Sequence, residues 1–123
     1  MSPVQTLEAT TIDTTPIAWT AVCRPDDILP GTGVCARVDG RHVAVFRLGA
    51  DEFYAIDNVD PKARASVLAR GLVGNLGERL VVASPLDKSH YDLRSGECLE
   101  APERSVGAHR VRVQDGRVVV ALA

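Results

Sequence analysis

Short runs of alternating apolar and polar residues follow one another along this chain, with turn residues between them. The clearest example is formed by residues 34–38 and 41–46, which flank Asp39-Gly40. A two-residue Asp-Gly loop favours a type I′ turn, because both positions tolerate positive φ. This turn pairs Val38 with Arg41. The period-two rule then predicts a core face, made of Val34, Ala36, Val38, Val43 and Val45.

A second Asp-Gly hairpin is predicted near the end of the sequence. Residues 111–114 and 117–120 flank Asp115-Gly116, in a register that opposes Val113 to Val118 and Val111 to Val120. These four valines are expected to form a matching apolar face.

Similar patterns predict the remaining elements. The other strands are expected at residues 17–22, 53–56, 79–83, 91–93 and 98–99. Pro61 interrupts residues 58–70, which are expected to be a loop with weak helical character. At least about eight short strands with tight turns and almost no helix predict an all-β sandwich or barrel.

Size and composition limit the possible functions. The chain has 123 residues, which suits one domain, predicted at residues 17–123, after a flexible N-terminal tail at residues 1–16. A net charge of −2 provides no basic field for nucleic acid. We find no basic start with an apolar core, as in a secretory signal, and no apolar run near the length of a membrane helix. The expectation is a cytoplasmic protein that contacts neither nucleic acid nor membrane.

Residues 84–96 carry the most specific chemical pattern. They resemble the second cluster-binding loop of a Rieske iron–sulfur protein, in which Cys-Pro-x-His precedes an aromatic-Asp-Leu hairpin that ends in Gly. Ser84 stands at the Cys position and Asp87 at the His position. The surrounding frame is retained, in Pro85, Leu86, Tyr91, Asp92, Leu93 and Gly96.

The first Rieske loop has a counterpart upstream. Asn58 stands where Cys is expected and Asp60 where His is expected, ahead of a run resembling the exit from that loop at residues 68–74. A Rieske [2Fe–2S] centre needs two thiolates on one iron and two imidazoles on the other. Hard oxygen ligands do not replace that set. The sequence therefore predicts a Rieske-like fold without the cluster.

The combination resembles one family, the small subunit of assimilatory NAD(P)H-dependent nitrite reductase. The resemblance covers about residues 18–121 and is carried by residues 27–36, 55–61, 67–74, 83–86 and 92–100. It implies a non-catalytic subunit without a cofactor of its own. It also implies a partner, the large subunit, which carries FAD, an iron–sulfur cluster and siroheme and reduces nitrite to ammonium.

The ligand loops also suggest where a partner binds. In cluster-bearing Rieske domains these loops form an exposed tip that approaches redox partners. Arg is favoured at interfaces, because its planar fork makes paired hydrogen bonds. We expect the tip, or the sheet beside it, to dock on the large subunit through five residues, Lys62, Arg64, Arg70, Lys88 and His90.

Other functions are weaker interpretations of the same residues. Asp60, Asp87 and His90 have the ligand types of a non-haem iron triad, but the sequence fixes no geometry for them. Ser84 with His90 or His109 could suggest a hydrolase, but no nucleophile-elbow motif is present. His109 is instead expected to line a sheet surface. A Rieske-type ferredoxin serving a dioxygenase and a free-standing adaptor remain open.

Overall fold

Residues 17–123 are described by a computed structural model, and the predicted tail at residues 1–16 lies outside them. Their strands, numbered in chain order, are β1 (Thr20–Cys23), β2 (Thr32–Val38), β3 (Arg41–Arg47), β4 (Phe53–Asp57), β5 (Val59–Asp60), β6 (Ala65–Ser66), β7 (Leu72–Leu76), β8 (Arg79–Ala83), β9 (His90–Asp92), β10 (Ala108–Gln114) and β11 (Arg117–Ala121). Single 3₁₀ turns occur at Pro25–Asp27, Leu68–Arg70 and Pro102–Arg104. None of the helices within these residues is long and apolar enough to cross a membrane.

The larger sheet has six antiparallel strands in the order β1-β11-β10-β4-β3-β2. It curls until its edge strands β1 and β2 approach each other, which gives a nearly closed barrel. A cluster that includes Ile28, Val43 and Val118 fills this barrel. The prediction of an all-β fold is confirmed.

The first predicted hairpin is confirmed in its register. Val38 pairs with Arg41, Ala36 with Val43 and Val34 with Val45. Asp39 and Gly40 have φ values of 49° and 79°, as a type I′ turn requires. The valines next to the turn and on β3 are buried, and Val34 and Ala36 pack against them from half-buried positions.

The second hairpin is also confirmed in its register, but one part of its predicted apolar face is wrong. Val111 pairs with Val120 and Val113 with Val118. Val118 and Val120 are buried, whereas Val113 is 40% exposed. β11 still pairs with β1 at Val118, whereas β10 pairs with β4 only at residues 108–109, so Val113 has no neighbouring strand on its other side.

A smaller sheet of β7, β8 and β9 lies beside the barrel. The sequence interpretation missed β7, which pairs with β8 through a two-residue turn at Gly77 and Glu78. Gly77 has φ +61°, the conformation that a Gly-first hairpin turn needs. The second core cluster, which includes Phe46, Leu68 and Tyr91, fixes this sheet to the barrel.

Two connections leave these sheets at the same end of the molecule. The first loop, residues 58–70, contains the β5 and β6 pair and the turn at Leu68–Arg70, so it is more regular than the loop expected from the sequence. The second loop, residues 84–89, joins β8 to β9. Buried Leu68 and Tyr91 anchor the two loops in the same core cluster.

Candidate functional site

A single hydrogen bond connects the first loop with the second loop. The Ser84 hydroxyl donates to Asp60 Oδ2 at 2.5 Å, and both residues are buried. Asp60 ends β5, and Ser84 directly follows β8. These two residues, which the sequence comparison with Rieske loops assigns to ligand positions, therefore hold the loops together by their own side chains.

The other carboxylate oxygen of Asp60 is satisfied within the first loop. Oδ1 accepts hydrogen bonds from the backbone N–H groups of Lys62 at 2.9 Å and Ala63 at 3.1 Å. A buried carboxylate is costly unless donors compensate for its lost hydration. Asp60 obtains three donors from the two loops, which explains how a charge is accommodated there.

Asn58 organises the rest of the first loop. Its Nδ2 donates to Ser66 Oγ at 2.6 Å, and its Oδ1 accepts the backbone N–H of Ala69 at 2.6 Å. Its main-chain oxygen accepts from Val67 and Leu68. Each polar group of this buried amide side chain is used to shape the loop.

Asp87 has a comparable role in the second loop. Its Oδ1 accepts the backbone N–H of Ser89 at 3.0 Å, and its Oδ2 accepts the Ser89 hydroxyl at 3.2 Å. Burial raises the pKa of Asp87, but the hydrogen bonds from Ser89 and Ser84 and the charge of Lys62 outweigh it. The pKa of Asp87 is consequently lowered.

In the hairpin after the second loop, Asp92 and Gly96 of the aromatic-Asp-Leu…Gly motif have structural roles. Asp92 Oδ1 accepts the backbone N–H groups of Arg94 at 2.7 Å and Ser95 at 3.1 Å, and its Oδ2 accepts from Arg79 Nε at 2.7 Å. Burial raises the pKa of Asp92, but these bonds outweigh it and hold the pKa below its ordinary value. Gly96 has φ +80°, and a Cβ atom there would overlap the carbonyl oxygen of Val106.

The residues at the four predicted ligand positions, Asn58, Asp60, Ser84 and Asp87, do not fit a [2Fe–2S] cluster. They offer one amide, two carboxylates and one hydroxyl, whereas the cluster needs two thiolates and two imidazoles. The side chain of Asn58 is already hydrogen-bonded within the first loop, and those of Asp60 and Ser84 are hydrogen-bonded to each other. Cys98 is buried in the core, and the thiols of Cys23 and Cys35 lie in the barrel strands.

The non-haem iron triad also lacks the required arrangement. Across residues 17–123 no group of three or more His, Cys, Asp or Glu side chains could hold a metal ion. His90 Nδ1 instead lies 2.5 Å from Glu100 Oε2, and its backbone N–H donates to Glu100 Oε1 at 2.8 Å. This histidine is held by Glu100, away from the carboxylates of the loops.

The hydrolase residues are likewise separated. Ser84 donates to Asp60, whereas His109 Nε2 lies 2.8 Å from Asp57 Oδ1. The prediction that His109 lines a sheet surface is wrong, because its side chain is only 1% exposed. Burial raises the pKa of Asp57, but the hydrogen bonds from His109 and Gly107 and the charge of Arg41 have a larger, opposite effect. The pKa of Asp57 is therefore lowered.

The five residues expected to bind a partner all lie on the two loops or directly after them. Four are exposed cations, and His90 is partly exposed at the start of β9. Tyr91 lies beneath them, and its buried hydroxyl has no hydrogen-bond partner within the described residues. Burial and the nearby charge of Asp60 raise the pKa of Tyr91 above its ordinary range.

The sequence interpretation missed the apolar part of this surface. Leu72 and Leu86 are 82% and 57% exposed, and a cleft of about 340 Å³ lies between β7 and the second loop. The cleft could be predicted only if β7 was predicted first. The Gly77-Glu78 turn is the sequence feature that indicates this strand.

Residues 18–121 match the family described as the Rieske-like [2Fe-2S] domain. The chain is also 48% identical to the nitrite reductase (NADH) small subunit of Salmonella typhimurium, over 81% of this chain and 94% of that protein. A second relative is the nitrite reductase [NAD(P)H] large subunit of Klebsiella oxytoca. It is 42% identical over 83% of this chain, but the match spans only 11% of that protein.

A solved structure has the same fold. The solution structure of the nitrite reductase [NAD(P)H] small subunit from Erwinia carotovora superposes with a TM-score of 0.74 and 52% identity. The superposition covers 85% of this chain and 82% of that one. The fold and the sequence thus point to the same group of proteins.

Proposed function

The chain belongs to the Rieske-like [2Fe-2S] domain family and, within it, to the small subunits of nitrite reductase, and on that premise we propose that it is a non-catalytic subunit that binds the large subunit. In this proposal the large subunit carries FAD, an iron–sulfur cluster and siroheme. It reduces nitrite to ammonium with NAD(P)H in the cytoplasm, as part of nitrate assimilation. The small subunit contributes a docked domain and no reacting group.

One observation carries the proposed partner. In Klebsiella oxytoca a segment 42% identical to this chain occurs within a nitrite reductase large subunit. A domain joined to its partner by the polypeptide is present at a high effective concentration and needs no separate docking step. In a small subunit such as the Salmonella typhimurium relative, the same domain must reach that place by its own surface. This arrangement favours a docking role over that of a free-standing adaptor.

The geometry of the two loops supports a role without electron transfer. Ser84 and Asp60 close the tip with a hydrogen bond, where an electron carrier would present cluster ligands. We therefore propose that this chain holds no cofactor, in contrast to a Rieske-type ferredoxin. Iron and acid-labile sulfide should be absent from the purified chain, which should also be colourless. Two irons and two sulfides per chain would restore the ferredoxin interpretation.

The partner and its effect can be tested in one reconstitution. Purified large subunit is titrated with the full chain while nitrite-dependent NAD(P)H oxidation and complex formation are followed together. We expect a stoichiometric complex whose formation changes the rate until one chain is bound per site. A large subunit that forms no complex with the chain would contradict the proposed function.

We further propose that the basic tip contributes to this docking. Lys62, Arg64, Arg70 and Lys88 are exposed in a chain with a net charge of −2. Charge reversal at Arg64 and Arg70 should weaken binding more at low salt than at high salt, because salt screens exposed charges. Arg117→Glu, at an exposed position of the last hairpin, serves as the control. If the wild-type chain, the variant reversed at Arg64 and Arg70 and the Arg117→Glu variant bind with equal affinity, the contact lies elsewhere.

A further inference from the structure

A cleft on the outer face of the three-stranded sheet is built by three residues that lie side by side. Leu72 on β7 is directly opposite Ala83 on β8, which is directly opposite His90 on β9. Directly opposed residues point to the same face of a sheet. Because Ala83 is small, the surface is depressed between its larger neighbours. The resulting cleft of about 340 Å³ continues over Ser84 and Pro85.

The walls of this cleft are apolar and unusually exposed. Leu72 leaves most of its side chain in solvent, and Pro85 on the second loop is also exposed. The β7 strand carries no charged residue between Leu72 and Leu76. An exposed leucine next to an exposed proline at a depression is typical of a surface that another molecule covers.

The rim of the cleft is basic. Arg70 and Lys88 line it, and no carboxylate does. Glu100 is the acid bound to His90, the third titratable residue of the lining. An apolar pocket with a positive rim is complementary to an apolar side chain that has carboxylates beside it.

The cleft is already formed in the free chain. Gly71 passes so close to β8 that a Cβ atom there would overlap the carbonyl oxygen of Ala83, so only glycine brings Arg70 and Leu72 to the same wall. On the opposite wall, the bond from Ser84 to Asp60 fixes the start of the second loop. The backbone N–H of Lys88 donates to the Ser84 carbonyl at 3.0 Å. A preformed pocket loses less conformational entropy on binding.

From these observations we propose that the Leu72–Ala83–Pro85 cleft is the main docking pocket for the nitrite reductase large subunit. It receives an apolar side chain from a segment of that subunit in which carboxylates flank the apolar residue. This inference rests on the proposed function and adds that buried apolar contact, more than the tip charges, carries the affinity. A second copy of this chain is disfavoured as the occupant. Two clefts facing each other across a two-fold axis would oppose their own basic rims.

The test compares binding of full-length variants to purified large subunit at one fixed salt concentration. Leu72→Ser removes a wall, and Ala83→Leu fills the floor without adding charge. Each should raise the Kd at least about tenfold, as expected for a residue at the centre of an interface. Val113→Ser, at an exposed apolar position of the β10–β11 hairpin, should change the Kd less than about twofold. Thermal unfolding of each variant checks that it is folded.

Three outcomes separate this inference from the function on which it rests. If wild-type chain does not bind the large subunit, the proposed function itself fails. If wild-type chain binds and folded Leu72→Ser and Ala83→Leu variants bind equally well, the cleft is not the docking pocket, although the function stands. If Leu72→Ser abolishes self-association and leaves binding to the large subunit unchanged, the cleft joins two copies and the proposal is overturned. Leu72→Ser alone decides the matter if Ala83→Leu does not fold.

Discussion

The hydroxyl of Ser84 lies 2.5 Å from Oδ2 of Asp60, a residue 24 positions earlier in the sequence, and this contact joins two loops. Both side chains are buried, and the remaining oxygen of Asp60 is bound by two backbone N–H groups. In a Rieske centre, thiolates and imidazoles from two such loops hold iron. Here the same two positions hold each other.

Breaking this bond should destabilise the fold. Ser84→Ala leaves a buried carboxylate oxygen with one donor fewer, which should lower the free energy of unfolding by about 1–3 kcal/mol. Asp60→Asn, measured alone and together with Ser84→Ala, should give a coupling energy of about 0.5–3 kcal/mol in a double-mutant cycle. Urea unfolding monitors each variant. Ser95→Ala, in an exposed turn, is the control, and a cost for Ser84→Ala no greater than that of the control would contradict the prediction.

The close approach of Gly71 to β8 leads to a second prediction. Gly71→Ala places a methyl group against the backbone of Ala83, which cannot move without disturbing the β7–β8 pairing. We expect a loss of about 2 kcal/mol or more, as for an overpacked site. Gly74→Ala on the same strand meets no atom within 4 Å and should change stability by about 0.5 kcal/mol or less. Similar unfolding midpoints for the two variants would show that the clash is relieved.

Asp92 should make stability depend on pH in the acid range. Its pKa is lowered in the folded state, so its contribution is complete above the unfolded pKa of about 3.9 and disappears as the pH falls through the folded value. Asp92→Asn should lower the free energy of unfolding by about 1–3 kcal/mol at neutral pH. The gap between variant and wild type should shrink as the pH falls below about 4. A gap that stays constant down to acid pH would argue against an ionised Asp92 as the source, and Asp51→Asn, at an exposed position, is the control.

A fourth prediction uses the single tryptophan of the chain. The guanidinium carbon of Arg112 lies 4.1 Å from the centroid of the Trp19 ring. Removing the cation should cost about 0.5–1 kcal/mol, the range of an exposed cation–π contact. Since the chain contains one Trp, its fluorescence reports on this contact directly. Arg112→Ala should change the emission spectrum of the folded protein, whereas Arg117→Ala should leave it unchanged.

The hairpins were the most predictable part of this structure. In each, two turn residues with positive φ fix the register, and the turn residues can be identified in the sequence. The exposure of Val113 was not predictable in the same way. Local alternation assigns a face, but only the tertiary structure shows which side chains on that face are covered by a neighbouring strand.

The assignment of Asn58, Asp60, Ser84 and Asp87 to Rieske ligand positions rests on sequence spacing and stays a prediction. The contacts that these residues make were not predicted. The bond from Ser84 to Asp60 depends on how the first and second loops meet, which no local pattern encodes. The apolar cleft was missed for a different reason, because the β7 strand was not predicted. The cleft arises from the cross-strand neighbours Leu72, Ala83 and His90 on three consecutive strands.

The hydrogen bond between Asp60 and Ser84 also affects how the folded protein is produced. Every atom in it comes from the polypeptide, so we expect the tip to reach its final shape in the folding reaction that follows translation. A cluster-bearing tip must in addition receive iron and sulfide before its loops are held in place. From the proposed absence of a cluster we expect that this subunit folds to its final form even when the cell is short of iron.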